Sequence, residues 1–319
     1  MELERVFREF GYQPHRHDFY PNMRRRFRPF LYGFVEAGCP ALLAFSVAVQ
    51  SKDKSDRLVP APEGHVVAVV GHTLSPDSWF PTAFAGYAGE HEKDFSYRSS
   101  LDWVDEFLIH DDNYGMQLSF PAHSFRPEDR PDPGSNFTPI LGIGLYPDSL
   151  NVSLLNYEVE DLVAANLHEL CESLYKQGSH VIQPYYIRHF LPHLLRYGTA
   201  VFRTVLVTRE QYMRHLSLMD NDRTPFGERE KRALQAILKP HPYFWLVEVT
   251  EPDLYVGNRS KLIDVLFAPD SKYSPSQAHR GIILARLPGF LLVPSHNSRE
   301  YQIKSRLSVL SHYPLLTFD

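Results

Sequence analysis

The chain has 319 residues, 43% of them hydrophobic and 13% aromatic, which suffices for a sizeable core and fits two domains better than one. Its 33 basic and 38 acidic residues give a formal charge of -5, which supplies no electrostatic reason for nucleic acid or an anionic membrane as main partner. Two distant cysteines, Cys39 and Cys171, make no disulfide framework, no apolar run approaches a membrane span, and Met1–Val6 lacks a signal-peptide core, so a reducing, cytoplasmic setting is the expectation.

In chain order, residues 2–10 read as a short amphipathic helix ending at Gly11, and Phe30–Ala37 as a second helix stopped by Gly38. The basic cluster Arg24–Arg28 reads as a solvated face. Pro40–Val49 predicts an apolar strand, 51–64 a polar loop, and His65–Gly71 a Val-rich strand buried on both faces. The aromatic connection 73–104, with Trp79, Phe80, Tyr97 and Trp103, reads as an insertion that covers something or carries function. Phe107–His110 and Gln117–Phe120 are strands. The prolines of 121–135 forbid a central helix or strand there and place a domain boundary.

Thr138–Tyr146 then predicts a strand opening the second half. Helices follow at Val159–Tyr175, Tyr185–Tyr197, Glu210–Leu218 and Glu228–Leu238, and strands at Ala200–Val207, Tyr243–Thr250, Lys261–Phe267 and Gly281–Leu287. Leu291–Val293 and the last residues offer a further strand. The expected organisation is α+β, with a β-rich domain over 1–122, a linker over 123–135 and a second α+β domain over 136–319.

His65 opens its strand where a buried imidazole needs a partner, and Phe107–Asp111 ends in carboxylates. If the two strands pair antiparallel, His65 meets Asp111 or Asp112, and alternation alone does not choose between them. An imidazole oriented by a carboxylate is the base half of a nucleophilic triad. Asp111-Asp112-Asn113-Tyr114-Gly115 is also an ordinary turn sequence. Cys39, between Gly38 and Pro40, precedes a strand rather than a helix, so it reads first as a small buried residue and second as a nucleophile. Cys171 falls inside a helix and reads as core. The pairs His15/His17 and His189/His193 read as surface histidines, and no metal or other cofactor is expected.

The order Phe34-Val35-Glu36-Ala37-Gly38-Cys39-Pro40, then Gly64-His65 opening a Val-rich strand, then His110-Asp111-Asp112-Asn113-Tyr114-Gly115, resembles the β-rich half of papain-like cysteine peptidases, especially the bacteriocin-processing, double-glycine-leader peptidases of bacteria. The resemblance covers roughly residues 1–120. It implies a papain-like half-domain with His65 as general base and Asp111, or its rival Asp112, as orienting acid. Cys39 matches a non-catalytic position, and the family's nucleophile segment has no counterpart in the chain. Three expectations follow: an inactive relative that binds a peptide or protein, an enzyme whose nucleophile lies upstream of Met1, or a rearranged site in which Cys39 attacks. An interaction subunit contacting its partner through 73–104 is the expectation from a different class.

Overall fold

The structure is a computed structural model, and it describes residues 2–19, 27–52, 58–76, 97–122, 137–178, 200–218, 228–270, 280–287, 290–294, 301–306 and 313–316. The chain is α+β and divides into two compact units, Met1–Leu74 with Val104–Leu150, and Ser75–Trp103 with Asn151–Asp319. No helix among the described residues is long and apolar enough to cross a membrane.

The first unit is a six-stranded antiparallel sheet under one helix. Its helices are α1 (Glu2–Glu9) and α2 (Phe27–Glu36), and its strands are β1 (Tyr12–Asp18), β2 (Ala41–Lys52), β3 (Leu58–Leu74), β5 (Val104–Asp111), β6 (Gly115–Pro121) and β7 (Phe137–Pro147), in spatial order β1-β7-β2-β3-β5-β6. The helix α2 lies on β7 because two glycines make room for it. A Cβ on Gly144 would stand 2.1 Å from Phe34, and one on Gly142 2.6 Å from Phe30. Phe30, Phe34 and Tyr146 are buried in that contact. The helix ends in a Schellman arrangement: Gly38 takes φ +66°, its N–H donates to Val35, and the Cys39 N–H donates to Phe34.

The second unit carries β4 (Tyr97–Ser99), β8 (Ala200–Thr208), β9 (Tyr243–Thr250), β11 (Ile263–Phe267), β12 (Ile282–Leu287), β13 (Phe290–Pro294) and β14 (Tyr301–Arg306) in one sheet ordered β14-β13-β12-β11-β9-β8-β4. A two-residue strand β10 (Ser260–Lys261) pairs separately with β15 (Tyr313–Pro314). The helices are α3 (Asn156–Gly178), α4 (Arg209–Leu218), α5 (Glu228–Leu238) and α6 (Pro252–Asn258). Strands β11 and β12 are buried throughout, and β8 and β9 at all but one end residue each, which is why they read as near-continuous apolar runs. Tyr212, Leu216, Leu234 and Leu238 pack on Val205, Val207, Leu246 and Leu266 in one core.

Three expectations change. The division at 123–135 does not coincide with the structural one: the strand expected to open a second domain is β7, which sits between β1 and β2 in the first sheet. The end of the aromatic connection, 97–103, belongs to the second unit, where β4 pairs in parallel with β8 and Tyr97 stacks on Phe202 at 4.5 Å. The polar loop over 51–64 is largely hairpin, with β2 and β3 in register from Ala41↔Val69 to Lys52↔Leu58. Pro60 and Pro62 lie in the arm of β3 that precedes Ala68–Leu74, the stretch that pairs with β5. The linker 123–135, the helix over 185–197 and residues 77–96 of the connection lie outside the described residues.

Candidate functional site

Strands β3 and β5 are antiparallel neighbours, with Ala68 opposite His110 and Val69 opposite Ile109. The end of β5 therefore faces the interior of β3, and His65 lies within that strand rather than at its opening. His65 Nε2 lies 2.8 Å from Asp111 Oδ2, with side-chain exposures of 22% and 6%. The other oxygen, Oδ1, accepts the N–H groups of Asn113 and Tyr114 at 2.8 and 3.2 Å. One carboxylate thus closes the β5–β6 turn and orients the imidazole. Gly115, at φ +112°, lets the turn return to register with Asp111. Burial pushes the Asp111 carboxyl upward, but the His65 bond and the two backbone N–H groups outweigh it and hold it below the ordinary carboxylate range. An ionised carboxylate only accepts, so His65 Nε2 carries the hydrogen. Its Nδ1 makes no hydrogen bond among the described residues.

The other face of the imidazole is set by Phe45, opposite His65 in the β2–β3 ladder, whose ring meets it edge-on at 5.5 Å. The strand is not buried on both faces as its valines suggested. Val67 and Val69 are covered, whereas Val66 and Val70 are 52% and 45% exposed. His65 sits on the covered side because it alternates with Val67 and Val69.

Asp112 is exposed, with an oxygen that lies within 4.8 Å of the donor atoms of His65 and Asp111. These three are a donor set that a divalent cation could share. Cys39 is placed where it does not reach His65. It lies six residues before Phe45, the partner of His65, which is roughly 20 Å along an extended chain. Its sulfur donates to the Ala37 carbonyl at 3.6 Å, and burial pushes its thiol up to about 11. It follows the C-terminal end of α2, where the helix dipole opposes a thiolate. The expectation that Cys39 attacks is therefore corrected. Cys171 falls in α3 among residues whose side chains lie outside the described ones.

His15 and His17 are not surface residues. Their rings pack against Phe34, Tyr146, Phe19 and Phe30, and burial lowers the His15 pKa. His189 and His193 lie outside the described residues.

Two arrangements were not read from the sequence. A second imidazole–carboxylate pair joins His72 Nε2 to Glu36 Oε1 at 2.6 Å, with Tyr32 beside the ring. It ties the end of α2 to β3. Val70 is an extra residue in β3 between Val69 and Gly71, and this bulge brings His72 to the same face as His65 despite their odd spacing. No local pattern links positions 36 residues apart. In the second unit, Arg203, Glu248, Asp264 and Arg286 stand opposite one another across β8, β9, β11 and β12, all nearly inaccessible. A signal existed here: each is a lone charge in an apolar strand and must find a partner. Also in this unit, Glu160 of α3 is buried with Oε1 unbonded. Burial, opposed by Ser99 and Thr204 and reinforced by Asp161 and Asp102, pushes its carboxyl up to about 8.

Comparison with protein-family models, with curated proteins and with solved structures finds no match.

Proposed function

We propose that the first unit is a relative of the papain-like cysteine peptidases and amide hydrolases that keeps a general base and its orienting acid, His65 and Asp111, and holds a peptide without cleaving it. One observation carries this reading: the 2.8 Å bond from His65 to a carboxylate whose other oxygen is fixed by two backbone N–H groups. That arrangement fixes the ring and leaves Nδ1 as the nitrogen without a hydrogen bond among the described residues. Nδ1 can accept a hydrogen bond from a peptide N–H, or a proton from a nucleophile if one is brought to it. Among the described residues no thiol stands within reach, since Cys39 lies before the start of β2, six residues ahead of Phe45.

The test is an assay of the full chain with fluorogenic peptides, alongside His65→Ala. The expected result is no turnover, with peptide binding weakened about tenfold in His65→Ala. Turnover that disappears in His65→Ala would overturn the inactive reading and make the chain a hydrolase.

A second reading, a non-catalytic interaction subunit for a protein or peptide, is favoured by the hairpin tip. Tyr114 and Met116, 80% and 79% exposed, flank Gly115 next to Asp111. Large apolar side chains this exposed, side by side, are the material of a contact. Tyr114→Ser with Met116→Ser should abolish partner capture while leaving the His65–Asp111 bond in place. Undiminished capture removes this reading.

A further inference from the structure

The charged row of the second unit does more than pair with itself. Arg203 donates to Glu248 at 2.6 Å, and Lys261 donates to Glu248 at 2.7 Å and stands 2.8 Å from Asp264. Tyr212 donates to Asp264 at 3.1 Å, and Arg286 stands 3.8 Å from it. Buried ion pairs are a poor device for stability, because desolvation cancels most of their attraction. The row also bonds main chain. Glu248 accepts the N–H of Leu316 at 2.7 Å, and Arg203 donates to the carbonyl of Leu316 at 2.9 Å. Two charged side chains thus satisfy both main-chain groups of one residue, as a neighbouring strand would.

The same segment is read along its length. Tyr313 and Pro314 pair with Lys261 and Ser260, and the Leu315 N–H donates to the Arg259 carbonyl. Arg259 holds φ +48°, ψ +47°, a left-handed conformation that costs a non-glycine residue energy. The side chains of Leu315 and Leu316 are 3% and 1% exposed, and Leu316 enters the core beside Val205 and Leu246. The ladder β10–β15 is two residues long and lies outside the seven-stranded sheet. The segment is thus held by an Arg–Glu clamp, an apolar pocket and a strained carbonyl, which is how an extended peptide ligand is held.

We propose that Arg203, Glu248 and the edge Arg259–Lys261 form a binding site for an extended peptide bearing two adjacent aliphatic residues. In this structure the chain's own Tyr313–Leu316 fills that site as a displaceable occupant. The site is independent of His65 and Asp111 and stands whether or not the first unit holds a peptide.

The test uses the full chain and a fluorescent synthetic peptide with the sequence Ser311–Phe318. Amide exchange should show 313–316 opening at least about tenfold faster than β9, since a docked segment opens below the global unfolding energy. Leu316→Ala loosens the built-in segment, so the peptide should bind that variant about tenfold or more tighter than the unmodified chain. Adding Arg203→Gln to Leu316→Ala should return binding to the weaker level. Exchange of 313–316 only together with β9 overturns the proposal and makes the segment an integral part of the core. If Leu316→Ala fails to fold, the exchange measurement on the unmodified chain decides alone. A folded Leu316→Ala chain that takes up no peptide also overturns it.

Discussion

Asp111 shows how much one side chain can be asked to do. Its Oδ2 orients His65 and its Oδ1 closes the turn into β6, so Asp111→Ala removes both at once. Amide exchange at Asn113 and Tyr114 should rise about tenfold or more in that variant. Unchanged exchange would show that the turn holds without the carboxylate. The sign of the pH effect follows from the depressed carboxyl: the stability it adds is complete above the ordinary carboxylate range and is lost as pH falls through the folded-state value. Glu160 runs the other way. Its raised carboxyl, at about 8, means that the folded state keeps a proton the unfolded state gives up near pH 4.5. Stability from this group therefore falls from about pH 4.5 to about pH 8, and Glu160→Gln should gain on the order of 3 kcal/mol at pH 7 in denaturant titrations. A loss at pH 7 would mean that the buried carboxylate has a compensating partner.

At the scale of elements, the seat of α2 on β7 depends on what is missing. With a Cβ on Gly144 only 2.1 Å from Phe34, Gly144→Ala must push α2 away from the sheet or tilt the ring. The expected cost is about 1–3 kcal/mol by chemical denaturation. The disturbance should extend to the His72–Glu36 pair, because Glu36 is the last residue of the same helix. A variant as stable as the original would show that α2 has room the glycines do not need. The sequence posed the antiparallel meeting of β3 and β5 as a condition, from an apolar run beginning at His65 and one closed by carboxylates; the pairing holds, although β3 itself begins at Leu58. The pairing of His72 with Glu36 was not, because it needs the bulge at Val70 and the docking of α2, neither of which has a local periodic signal.

For the whole molecule, the chain passes from one unit to the other at 74/75, 103/104 and 150/151. A fragment of residues 1–122 lacks β7, the strand between β1 and β2 and the floor beneath α2. It should show no cooperative thermal transition by circular dichroism. A sharp transition would mean that the remaining strands close up without β7. The second unit has its own pH signature. Burial lowers His215 to about 4, so protonation there opposes folding and its contribution rises with pH from about 4 to about 6.5. Between about 4.5 and 6.5 this opposes the fall from Glu160, and His241, also lowered by burial, acts in the same sense as His215. Above about 6.5 the Glu160 effect, which Glu251 shares in sign, prevails, so hydrogen exchange of β8 and β9 should accelerate from about pH 6.5 to about pH 8 after correction for intrinsic rates, and unchanged exchange there would remove the raised Glu160 carboxyl.

By itself the sequence determined most of the local elements, since apolar periodicity and Gly38 are properties of neighbouring residues. It also narrowed the acid facing His65 to Asp111 or Asp112, because carboxylates closing an apolar run are a local feature too. Only the tertiary structure decided between them. It alone placed β7 in the first sheet, gave 97–103 to the second unit, set Cys39 apart from His65 and gathered Arg203, Glu248, Asp264 and Arg286 into one row. The reason is common to all four. Which edge a strand joins, and at what register, depends on segments far away in the chain, and nothing in a strand's own composition carries that choice.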